Sequence, residues 1–143
     1  MASGIRPSRV RLLWRRAEVE TTRQKDGSMA EEHVLRVPIK AGMSERVLSH
    51  FAERASRREE LAQVYGARDI QQNIVFVSEE AGEAVLFVYR RGRDLQAAGA
   101  KFLAEDSPVD RELARLLLEA TDFERAKILP VVFHWPPLER ESK

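Results

Sequence analysis

Two apolar runs separated by five residues constrain this chain more than anything else in it. Asn73-Ile-Val-Phe-Val-Ser78 and Ala84-Val-Leu-Phe-Val-Tyr89 are crowded with β-branched and aromatic residues, and the joint Glu79-Glu-Ala-Gly-Glu83 sets a glycine among charges. That pattern predicts a β-hairpin spanning Ile74 to Arg91. The elements around it need a sheet to pack on, and the hairpin is the part of that sheet the sequence defines best.

The neighbouring segments switch between the two periodicities of regular structure. His33 to Lys40 alternates, with Leu35, Val37 and Ile39 on one face and Arg36 and Lys40 on the other, so it predicts a strand. Pro38 falls near its end, where a missing amide donor is tolerated. Ser44 then offers an N-cap for one helix from Glu45 to Tyr65, with Leu48, Phe51, Ala52, Ala55, Ala62 and Tyr65 inward. Glu53, Arg54, Arg57, Arg58, Glu59 and Glu60 cover its solvated side, and Gly66 is placed to end it. Asp94 can cap a helix from Leu95 to Leu103 that turns Leu95, Ala98 and Phe102 inward.

The sharpest local signal is Ser107-Pro108-Val109-Asp110. Serine at the N-cap, proline in the first turn and an acid at its third position start a helix with a preorganised first turn. Val109, Leu113, Leu116, Leu117 and Ala120 give that helix its buried face. Lys127 to Trp135 reads as a last strand, made an edge strand by Pro130 and stopped by Pro136-Pro137. Its faces are Leu129, Val131, Phe133 and Trp135 on one side and Ile128, Val132 and His134 on the other.

Composition excludes several kinds of chemistry. A length of 143 residues, 43% hydrophobic and 33% charged, predicts one soluble globular domain with a single core. With no cysteine there are no disulfides, no thiol catalysis and no cysteine metal site. No apolar run reaches the roughly 18–20 residues of a membrane span, and Ile5 to Trp14 lacks the apolar centre of a secretory signal. A cytoplasmic protein without membrane contact is the expectation.

The net charge of +1 is unevenly placed. Residues 1–28 hold seven basic and three acidic residues, a net of +4, and the remainder holds 17 against 20, a net of −3. The step falls after the linker-like Gln24-Lys-Asp-Gly-Ser28. It predicts a basic, poorly ordered extension over 1–28 and a folded domain over 29–143. Glu18 and Glu20 argue against a transit peptide. An acidic domain gives nucleic-acid binding no support.

The predicted order is β-α-β-β-α-α-β. Without the extra helix before the last strand it is βαββαβ, the ferredoxin-like α+β plan of an antiparallel four-stranded sheet with helices on one face. Both faces of the hairpin are apolar, which a one-sided cover does not explain. Val75, Val77, Leu86 and Val88 form one set; Ile74, Phe76, Val85, Phe87 and Tyr89 form the other. Register does not say which set meets the helices. The remaining set predicts a homodimer, sheet face on sheet face.

The element order, the hairpin, the helix start Arg93-Asp94-Leu95 and the segment Glu105-Asp-Ser-Pro-Val-Asp110 resemble a small uncharacterised family of the dimeric α+β-barrel superfamily. The resemblance covers about residues 33–135. It implies two ferredoxin-like protomers packed sheet to sheet, in a superfamily that includes antibiotic-biosynthesis-type monooxygenases and muconolactone isomerases. The family's most specific motif is an acid followed by His-Pro-hydrophobic-Asp, with a second histidine shortly after. Pro108 and Asp110 match it, but Ser107 stands at the first histidine position and no histidine lies near Glu112–Leu113. Chemistry that depends on those histidines is therefore not implied here.

Few residues recommend themselves for chemistry. There is no G-x-G-x-x-G, P-loop or G-x-S-x-G. His33, His50 and His134 lack metal-ligand spacing, so neither metal nor cofactor is expected. His33 opens a strand and reads as solvated; His50 lies beside a helical stripe and reads as surface or half-buried. Tyr89, Arg90 and His134 are the candidate ligand-binding residues, a phenol and a guanidinium suited to an acidic or enolic group and an imidazole placed to face a pocket. No catalytic residue stands out, because Ser107 and Asp110 are explained by helix capping. The leading reading is an α+β-barrel homodimer, compatible with a bound small molecule and without an evident catalytic motif. The rival is a cofactor-independent monooxygenase or isomerase for a small cyclic or enolic metabolite, with His134 as general base.

Overall fold

The computed structural model describes residues 30–104 and 107–137, together with the backbone of residues 22–23. The short strand β1 (Thr22–Arg23) precedes β2 (Glu31–Pro38), then α1 (Ser44–Ala55), α2 (Arg58–Ala67), β3 (Ile70–Glu80) and β4 (Glu83–Gly92). Helices α3 (Leu95–Ala104) and α4 (Pro108–Ala120), a 3₁₀ turn at Phe123–Arg125 and β5 (Lys127–Pro130) complete the described chain. The fold is α+β, as the alternation of periods predicts. Among the described residues no helix is long and apolar enough to cross a membrane. The predicted extension over 1–28 lies outside the described residues, except that Thr22–Arg23 pairs with Glu31–Glu32.

The sheet is antiparallel throughout, in the order β5-β2-β4-β3, with β1 beside β5 on the same edge of β2. Strands β2 and β3 thus run parallel to each other with β4 between them. Hairpin β3–β4 turns at Ala81 and Gly82, both at positive φ (52° and 81°), the left-handed pair that matches strand twist. At the far end of the hairpin, a Cβ on Gly92 would stand 2.8 Å from the Asp69 carbonyl oxygen, so this close approach of two backbones needs glycine.

Register settles which apolar set is covered. Val37 opposes Leu86 and Leu35 opposes Val88, while Val77 and Val75 oppose the same two residues from β3. These side chains share one face, and Leu35, Val37, Leu86 and Ile128 join Val47, Phe102, Leu116, Leu117 and Ala120 from the helices in one core. Burying each such side chain contributes about 1.5–3 kcal/mol, so this layer holds the fold together. The second set, Ile74, Phe76, Phe87 and Tyr89, lies on the opposite face, with Phe76 and Phe87 stacked at 5.1 Å between centroids.

The structure corrects several expectations. Two helices replace the single one from Glu45 to Tyr65, and they break at Ser56–Arg57. Ser44 is the first helical residue rather than the cap; Met43 holds the cap position with no side-chain bond. The inward stripe of α1 is rotated: Val47 is buried and Leu48 is 53% exposed. Gly66 lies within α2, and the positive φ falls on Asp69 instead. The last strand stops at Pro130, which has no amide to continue the ladder, so residues 131–135 leave the sheet. Asp94 and Ser107 cap as expected, accepting from the amides of Ala97 at 3.0 Å and Asp110 at 3.2 Å.

Candidate functional site

Between the covered face of the sheet and the helices lies a cavity that opens to solvent. Its walls are apolar, with Leu35, Leu86 and Val88 from the sheet and Phe51, Phe102 and Leu117 from the helices. Its polar lining comes from five elements. His33 lies on β2, Arg54 on α1, Tyr65 on α2, Asn73 on β3 and Arg90 on β4. The space open to the centre of a water molecule is about 40 Å³, room for roughly three waters.

Each polar group arrives there by continuing an apolar stripe. Arg54 follows Val47 and Phe51 at helical spacing, and it is only 7% exposed. Arg90 follows Leu86 and Val88, Asn73 precedes Val75 and Val77, and His33 precedes Leu35, each in phase with its strand's covered face. His33 and Arg90 stand directly opposite across β2 and β4.

The bonds among these groups are specific. Arg54 donates to the Tyr65 hydroxyl at 3.0 Å and, at a longer 3.4 Å, to the Val109 carbonyl. Its guanidinium carbon lies 5.9 Å from the Tyr65 ring centroid, within range of a cation–π contact. Asn73 connects the cluster, accepting from Arg90 Nε at 3.0 Å and donating to Tyr65 at 3.5 Å. Beside them Arg68 binds Asp110 through two bonds of 2.9 and 2.5 Å, tying the residue that ends α2 to the first turn of α4. Burial holds the Arg90 guanidinium below its ordinary pKa; the charges of Arg54 and Arg68 add to that, while Tyr65 and Asp110 work against it. His33, expected to be solvated, is 2% exposed. Burial, with Arg90 alongside, pulls its imidazole down to about 4, so it is neutral at pH 7.

Of the three residues singled out in the sequence, Tyr89 and His134 are brought together, but away from Arg90 and the cavity. Arg90 lines the cavity, whereas Tyr89, its neighbour on a strand, points to the opposite face. There Tyr89 donates its hydroxyl to Glu32, a carboxylate with no exposed surface. Burial raises the phenol above its usual pKa, and the bond to Glu32 raises it further. His134 joins that second cluster, with Nε2 3.9 Å from the same Glu32 oxygen. It does not share a face with Ile128, because the chain has already left the strand at Pro130. Glu32 Oε1 and Arg91 Nε are buried there and find no hydrogen-bond partner among the described residues.

The cluster in the cavity could have been found from one signal, a polar residue in phase with an apolar stripe. By composition alone, Arg54 reads as part of a solvated helix face. Tyr65 carries no sequence signal beyond its place on a stripe. Among the described residues no group of three or more His, Asp or Glu side chains is placed to hold a metal ion.

No curated protein and no solved structure matches the chain. Residues 30–139, which span all the described elements except β1, match the family of unknown function DUF6176, and the chain belongs to that family.

Proposed function

We propose that this chain is a small-ligand-binding domain of ferredoxin-like plan, without catalytic machinery of its own. Its ligand occupies the cavity between sheet and helices, and the protein works as a homodimer joined through the other face of the sheet. The ferredoxin-like assignment is supported by strand order: numbered along the chain without β1, the strands lie 4-1-3-2, with one helix pair after the first strand and another after the third.

The observation that carries the binding function is the cavity itself. An apolar pocket into which a few polar groups converge from separate elements is the usual form of a small-molecule site. Packing alone does not call for two arginines, a tyrosine, an asparagine and a histidine on the inner side of a sheet. The dimer is supported by the other face, where Ile74 and Phe76 remain 45% and 49% exposed on β3. Phe133 and Trp135, just past the last strand, are each 77% exposed, and apolar groups of this size collected on one protein mark a contact surface.

Native mass spectrometry of the purified protein tests both parts. The expected species is a dimer that releases a small molecule on activation. Phe76→Lys should shift it to monomer while leaving the melting temperature of the protomer core in place. A wild-type protein that is monomeric at micromolar concentration removes the dimer. A chain that neither retains nor accepts any small molecule in the cavity removes the binding function.

A further inference from the structure

The charge inventory around the cavity does not balance. The guanidiniums of Arg54 and Arg68 both lie within electrostatic reach of that of Arg90, and the carboxylate within the same reach, Asp110, is bound through both oxygens by Arg68. Arg54 has neutral acceptors, a phenol oxygen and a backbone carbonyl, and Arg90 has the amide oxygen of Asn73. Among the described residues no carboxylate is bonded to either of them. Withdrawing a guanidinium from water costs several kcal/mol unless an anion accompanies it. Tyr65 meanwhile accepts from both Arg54 and Asn73, which leaves its own hydroxyl proton to be donated.

We infer that the cavity takes a small organic monocarboxylate, with its carboxylate between Arg54 and Arg90 and its apolar body along Leu35, Leu86 and Val88. This rests on the cavity being a ligand site, as proposed above, and adds what the ligand is. Planar guanidinium forks match a carboxylate and hold it through charge-assisted bonds. The space at hand accommodates a headgroup, so the ligand's body extends along the apolar walls. Those walls are what separate this site from one for inorganic phosphate, which has no apolar body to bury.

The test is isothermal titration of the wild-type protein, stripped of retained small molecules by unfolding and refolding, with acetate, hexanoate, 1-hexanol and inorganic phosphate. Hexanoate is expected to bind at least about tenfold tighter than acetate, because its extra methylenes leave water. It is expected to bind at least about tenfold tighter than 1-hexanol, which cannot accept charge-assisted bonds from the arginines. Arg90→Gln, checked for folding by its near-ultraviolet circular dichroism, should weaken hexanoate by about tenfold or more. Equal binding of hexanol and hexanoate, or phosphate binding tighter than hexanoate, overturns the carboxylate while leaving the cavity as a ligand site. Hexanoate bound equally by the wild type and Arg90→Gln overturns it too. If no compound binds and no methyl resonance of Leu35, Leu86 or Val88 shifts, the ligand site itself is overturned.

Discussion

Replacing Asp110 by alanine breaks the buried ion pair that it forms with Arg68 beside the cavity. Asp110 is 2% exposed and its side chain holds Arg68 through two bonds, so the pair clamps the end of α2 to the start of α4. The substitution spares the bond to Ser107 Oγ, which the backbone amide of residue 110 donates, and besides the pair it removes the acid of the first turn of α4, worth about 0.3–1 kcal/mol. What it leaves is a guanidinium 11% exposed, within electrostatic reach of Arg90, with its counter-charge gone. Breaking a buried pair from one side costs about 3–5 kcal/mol, and the residual exposure of Arg68 places this case near about 3 kcal/mol. For a chain of this length that is a drop in melting temperature of roughly 10–15 °C. Thermal unfolding followed by circular dichroism at pH 7 measures it, with urea unfolding as a second scale. The double variant Arg68→Met with Asp110→Leu should recover half of the loss or more, since apolar replacements leave no orphan charge. A single variant melting within about 3 °C of wild type, roughly 1 kcal/mol, would refute the reasoning.

Other outcomes follow from the same contacts. Ser107→Ala should cost about 1 kcal/mol through the lost cap and leave hexanoate binding unchanged; binding lost at an unaltered melting temperature would give Ser107 a role in the site. His33, neutral in the fold with its pKa near 4 against 6.5 unfolded, contributes stability that is present above pH 6.5 and lost as pH falls from there to 4. The total is on the order of 3 kcal/mol, so His33→Gln should lose stability less steeply over that window, and parallel curves would count against a buried neutral imidazole. Deleting residues 1–28 removes the pairing of Thr22–Arg23 with β2 and should lower the melting temperature by only a few degrees; a loss above about 10 °C would mean that the segment packs on the domain.

The elements legible in the sequence are those fixed by local chemistry. The hairpin, the caps at Asp94 and Ser107, and the inward faces of α3 and α4 are all decided by residues close together in the chain. What was not legible depends on distant partners. Val47 outranks Leu48 because the sheet lies on its side of α1, which no periodicity within the helix reveals. The covered face of the hairpin is set by its register with β2, and both faces are apolar enough to serve. Tyr89 and Arg90 are a different case: neighbours on a strand point to opposite faces, so period two alone separates them. Arg54 looked solvated because charges surround it in sequence, although its spacing from Val47 and Phe51 placed it on the buried stripe.

The position of β2 in the sheet bears on how the molecule comes to be folded. His33 pairs with Arg90 on one side and with Pro130 on the other, so the first long strand among the described residues is among the last to be completed. The β3–β4 hairpin needs only its own turn and can form early. Strand β2 must wait for loops to close over most of the domain, and such non-local pairing slows folding. Until β5 arrives, one edge of β2 is a free template for another chain. During synthesis the protein is therefore most exposed to aggregation at a strand that ends up inside the sheet, and in the finished molecule the amides of that strand should be among the slowest to exchange.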